Sequence, residues 1–177
     1  TVPLELATGA SKAQDYRALS ITARVPTLVH DGFALSESSA ICEYLDDTFP
    51  GPALYPRGAR ERARARQVQA WLRSDLMALR QERDTTVLFR HRIERPLSPA
   101  GHAAAAALIE AAERLTPAGQ TSLFGAWSIA DTDLAAMLGR LVLNGDPVPD
   151  RLAAYVHTQW QRPAVQEWVS LSRRAPV

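Results

Sequence analysis

The sequence predicts a small α/β unit joined by a proline-rich linker to an all-helical domain. Three observations carry that prediction. Short β-like runs separated by turn signals fill the first fifty residues. Pro50–Gly51–Pro52 through Pro56–Arg57–Gly58 then interrupts the chain, and from Arg60 onward apolar residues recur at helical spacing. The expected division is residues 1–49, a linker at 50–59, and an all-α domain at 60–177.

Each element follows from its local pattern. Val2–Leu6 reads as a short strand, and the polar stretch from Gly9 to Ala23 as a loop with a turn or two of helix around Asp15–Leu19. Thr27–His30 and Phe33–Leu35 flank Asp31–Gly32, a pair suited to a tight hairpin because both central residues of such a turn need positive φ. Ser36–Glu37–Ser38–Ser39 then precedes the apolar period of Ala40–Leu45, which marks a helix start. In the second half, Val68, Trp71, Leu72, Leu76 and Leu79 predict one long amphipathic helix from Arg60 to about Arg83. Further helices are expected over Ser98–Leu115, Ile129–Asn144, Asp150–Trp160 and Pro163–Ser172. Ser128 and Asp131 have the spacing of a capping box, so both are assigned to structure.

Composition excludes several function classes. A net charge of +1 across 177 residues gives no field that would draw the chain to nucleic acid. Arg60, Arg62, Arg64 and Arg66 scatter around a helix interrupted by Glu61 and read as a solvated helix end. The one cysteine, Cys42, cannot form an internal disulfide, which points to a reducing compartment; its place on an apolar helix face makes it a small core residue. No apolar run is long enough to span a bilayer and the start resembles no signal peptide, so the expected location is cytoplasmic, away from membranes. The four histidines lack ligand-like spacing, so no metal is expected, and no phosphate loop or nucleophile elbow occurs.

The residues that point to chemistry are Val25–Pro26 and, after ten intervening residues, Glu37–Ser38. An X-Pro bond at a strand entrance can be cis, which turns the N–H and C=O of the preceding residue outward to pair with an extended peptide. A helix starting at Ser38 offers free backbone N–H groups and a positive dipole end to a carboxylate, with the Ser38 hydroxyl as a further donor. Glu37 supplies an anion for an ammonium group. Together these groups would read a short peptide bearing a free α-amino and α-carboxylate at one end, and glutathione is such a ligand. Taken alone, Val25–Pro26 is a strand entrance and Glu37–Ser38 a helix cap; the combination is what favours a ligand.

These residues, with Leu35–Leu45 and the Asp31–Gly32 hairpin, resemble the thioredoxin-fold half of glutathione transferases. Phe124–Gly125 and Ser128–Leu134 are similar to the N-capping box of a core helix in that family's α-helical domain, and Trp71–Met77 with Trp160–Gln161–Arg162 suggest the bacterial YfcF-type branch. The resemblance implies that Val25 and Pro26 hold the cysteinyl backbone of glutathione while Glu37 and Ser38 hold its γ-glutamyl end. It implies an enzyme that adds the glutathione thiolate to a small electrophile, or reduces a peroxide or disulfide with it, with glutathione as co-substrate and no metal. It further implies a homodimer, and an apolar second-substrate site against the long helix near Trp71 and Met77. In the family a Ser, Tyr or Cys at the junction of the first strand and first helix stabilises the thiolate. Val2–Leu6 corresponds to the family's second strand, so that junction has no counterpart here and the catalytic residue is unknown, expected in an absent N-terminal segment. Neither Ser11 nor Tyr16 is transferred to that role. The competing class is a non-catalytic interaction protein on the same fold.

Overall fold

The computed structural model describes Val2, Leu4 and residues 9–174. The strand expected at Val2–Leu6 lies outside the described residues apart from Val2 and Leu4. The chain divides into two compact units, Thr1–Leu54 and Tyr55–Val177.

In the first unit a single 3-10 turn, Ala10–Lys12, precedes α1 (Gln14–Leu19). Strands β1 (Thr27–His30) and β2 (Phe33–Ser36) form an antiparallel pair with Thr27 opposite Ser36 and His30 opposite Phe33. Asp31 and Gly32, at φ 49° and 80°, turn the hairpin as their sequence predicts. Helix α2 (Ser38–Thr48) follows at once. Its Tyr44 hydroxyl lies 2.7 Å from His30 Nδ1, and the His30 ring packs at a 53° tilt against Phe49 with centroids 5.0 Å apart, tying the helix to β1. Ile41 is the buried residue of α2. Cys42, expected in the core, is half-buried, because the helix packs through Ile41.

The second unit is all helical among its described residues: α3 (Ala59–Ser74), α4 (Met77–Glu82), α5 (Thr85–Phe89), α6 (Pro99–Leu115), α7 (Ile129–Val142), α8 (Asp150–Trp160) and α9 (Pro163–Arg174). The apolar period was expected to hold one helix from Arg60 to Arg83, but the chain breaks at Asp75–Leu76. The Ser74 hydroxyl bonds the Asp75 carboxylate at 2.9 Å and lies 3.4 Å from the Trp71 carbonyl, a side-chain contact to the backbone of the last turn. Leu76 nevertheless stays in the core, 2% exposed. α5 was not foreseen; the Asp84 side chain caps it by accepting from the Thr86 N–H at 2.7 Å.

Helix α7 runs through the centre of this unit, packing on α3, α6 and α8, with Leu134, Leu138 and Leu141 essentially inaccessible. Its N-terminus is the capping box read from the sequence. Asp131 is fully buried and accepts from the N–H groups of Ser128 (2.8 Å) and Leu123 (2.7 Å) and from the Tyr155 hydroxyl (2.9 Å). One carboxylate thus joins the helix start to the preceding loop and to α8. Tyr155 is driven far above its ordinary pKa by burial and by the Asp131 charge, so its proton stays in place to donate.

Candidate functional site

The hairpin register decides which sequence motifs meet. With Thr27 paired to Ser36, the residues just before β1 and just after β2 share one end of the hairpin. Those residues are Val25–Pro26 and Glu37–Ser38, so the two motifs ten residues apart in sequence are neighbours in space. The Val25–Pro26 peptide bond is cis. Val25 is 43% exposed, and its N–H donates to no backbone acceptor among the described residues.

Glu37 is the N-cap of α2 at φ 75° and ψ 112°, a conformation costing a non-glycine residue on the order of 1–3 kcal/mol. Its side chain makes no capping hydrogen bond and is exposed. Simple capping therefore does not account for a glutamate at this position. The first helical bond runs from the Ile41 N–H to the Glu37 carbonyl at 2.9 Å, leaving the N–H groups of Ser38, Ser39 and Ala40 as the free donors of the first turn. Ser38 is exposed beside them. The corner thus presents an exposed carboxylate, a hydroxyl, a set of amide donors and an extended backbone segment.

Behind the Val25 segment lies a cluster of hydroxyls that residue patterns did not reveal. The Arg24 carbonyl accepts from Tyr16 Oη at 2.9 Å, from Ser20 Oγ at 3.2 Å and from Thr27 Oγ1 at 3.3 Å, and Tyr16 Oη lies 2.8 Å from Thr27 Oγ1. Ser20 is almost completely buried.

Two clefts are lined by described residues of the helical unit. One, of about 420 Å³, lies between α3 and α6 and is lined by Arg64, Val68, Trp71, Arg114 and Leu115 among others. Trp71 lines it and Met77, about half exposed, does not, and the lining is partly cationic. The other, of about 140 Å³, lies between α3 and α7 and contains Arg73, Arg80, Asp133 and Arg140. Burial pushes the Asp133 carboxyl up, against the opposing bond from Gln69 Nε2 (2.6 Å) and the charge of Arg73. Arg83, one of the charged residues along the expected long helix, is spent on structure. Its guanidinium, 2% exposed, bonds the Asp146 carboxylate twice, at 2.6 and 2.8 Å. Among the described residues no three His, Cys, Asp or Glu side chains are grouped to hold a metal, and no helix is long and apolar enough to cross a membrane.

The first unit sets an exposed segment with a cis Val25–Pro26 bond near the start of α2, and the second unit is all helical among its described residues. Residues 2–53 match the glutathione S-transferase N-terminal domain and residues 59–174 the glutathione S-transferase C-terminal domain. The chain belongs to the glutathione S-transferase family. Among solved structures it is similar to a glutathione transferase homolog from Burkholderia, strain BGR1, with bound glutathione, at 48% identity and TM-score 0.71, covering 89% of this chain and 77% of that one. It is also similar to the theta class glutathione S-transferase of Xanthomonas axonopodis pv. citri with glutathione bound, at 27% identity and TM-score 0.74, covering 95% and 83%. A maleylacetoacetate isomerase of Dictyostelium discoideum is 41% identical over 71 residues, which is 40% of this chain and 32% of that protein. The matched stretches span about a third or less of the first curated relatives.

Proposed function

We propose that the protein is a glutathione transferase, binding glutathione at the Val25–Pro26 and Glu37–Ser38 corner and presenting its thiolate to a small electrophile. The observation that carries this reading is Glu37, held at positive φ on a helix start with an exposed carboxylate that caps nothing. On this reading Glu37 pairs with the ligand's ammonium group. The Ser38 hydroxyl and the first-turn amides hold its α-carboxylate, as a helix N-terminus favours. Val25 pairs its backbone with the cysteinyl residue, and Pro26 shapes that edge. The similar Burkholderia and Xanthomonas structures, both with glutathione bound, support the choice of ligand.

The chemistry would come from the ligand's sulfur. Its thiolate is the nucleophile; attack on an electrophilic carbon forms a C–S bond as the bond to the leaving group breaks and carries off its electron pair, and the proton lost from the thiol goes to solvent or to that leaving group. The donor that stabilises the thiolate is assigned to no residue of this sequence. The reading includes a cytoplasmic homodimer.

Calorimetric titration with glutathione tests the assignment. Glu37→Ala should weaken binding by about tenfold or more, the loss of a charge-assisted pair, while unfolding stability changes little. Equal binding by both proteins would return Glu37 to a structural role.

A further inference from the structure

We infer that Tyr16, with Ser20 and Thr27, is a positioning residue that sets the Val25 amide for the bound peptide, an inference that rests on the glutathione reading above. The Arg24 carbonyl and the Val25 N–H are the two ends of one peptide group. Whatever fixes the oxygen fixes the direction in which the N–H points. Here three hydroxyls from three elements, α1, the loop after it and β1, converge on that oxygen. At the other end the Val25 N–H has no backbone acceptor among the described residues and sits on an exposed residue.

Two physical effects follow. First, the converging donors remove the rotational freedom of the Arg24–Val25 peptide plane, so a ligand carbonyl need not order it on binding. Second, hydrogen bonds to a carbonyl oxygen polarise the amide, so its N–H becomes a better donor, as in any chain of coupled hydrogen bonds. The proton count allows it. Each hydroxyl carries one proton; Tyr16 and Ser20 can each give theirs to the Arg24 oxygen, and Thr27 can give its own to that oxygen or to Tyr16 Oη. Tyr16 is thereby a group acting through Val25 and touching no reacting atom.

A purely structural role would make the cluster a clasp closing the segment between α1 and β1. The two roles differ in what they do to affinity at temperatures where every variant is folded. Glutathione affinity is measured by calorimetry on the wild type, Tyr16→Phe, Thr27→Val and Thr27→Ser, with the unfolding midpoint of each taken in parallel. Tyr16→Phe and Thr27→Val should each weaken glutathione binding about three- to tenfold, the effect of one net hydrogen bond, and Thr27→Ser should restore it. Lowered midpoints with unchanged affinity in both variants would overturn the positioning role and leave the glutathione reading intact. A wild type that binds no glutathione would overturn the reading itself, and this inference with it.

Discussion

Glu37 carries most of what distinguishes this corner from an ordinary strand-to-helix junction. A glutamate gains nothing locally from φ 75°, and its side chain caps no N–H, so no capping bond offsets the backbone cost. Glycine would adopt this conformation without a Cβ penalty, although it also loses more chain entropy on folding. Glu37→Gly should therefore stabilise the fold by a net amount on the order of 1 kcal/mol in denaturant unfolding, while glutathione binding falls. A loss of stability would mean that the carboxylate itself supports the native fold. The sequence singles this residue out because it stands in the contiguous pattern Leu35–Leu45. Tyr16 is not singled out, since its role appears only when a loop closes and brings its hydroxyl to Arg24, eight residues away in sequence.

At the scale of elements, helix starts were easier to read than helix ends. Ser98 caps α6 by accepting from Gly101 N–H at 3.1 Å, and Ser128 begins α7, both marked by small polar residues next to an apolar period. The break after Ser74 was hidden because Leu76 and Leu79 keep the core-facing period across it. A buried apolar stripe records which face packs, and an interruption that preserves the face leaves the pattern unchanged.

The end of α4 is held by the Arg83–Asp146 pair, which gives this unit a distinct pH response. Burial works to raise the Asp146 carboxyl, but the bonds from Arg83 and Asn144 together hold it below the usual carboxylate range. A lowered folded pKa contributes stability that is present above the unfolded value, about 4, and is lost as pH falls through the folded value. Asp146→Ala should cost about 3 kcal/mol at neutral pH, because it strands a buried guanidinium. The gap between wild type and variant should narrow below about pH 4. Unfolding curves across that range check the sign; a gap that widens on acidification would contradict the assignment. Asp133 has the opposite sign, since burial raises its carboxyl and its ionised form costs stability above the ordinary value.

For the whole molecule, fold class and family were both legible, because two motifs stand in order on two units of different period. Matches at 2–53 and 59–174 agree with that reading. The clefts of the helical unit were not legible. Trp71 and Arg64 share one of them with Arg114 because α3 and α6 both pack on α7, and no local pattern records that juxtaposition. On the proposed reading, glutathione is held at one end of a hairpin by Val25, Glu37 and Ser38. The most direct test of this reading is an amide-resolved NMR titration of the purified protein with reduced glutathione. Saturable shifts should concentrate at Val25 and at Glu37 through Ala40. Saturable shifts confined to other residues, with these amides unmoved, would contradict it.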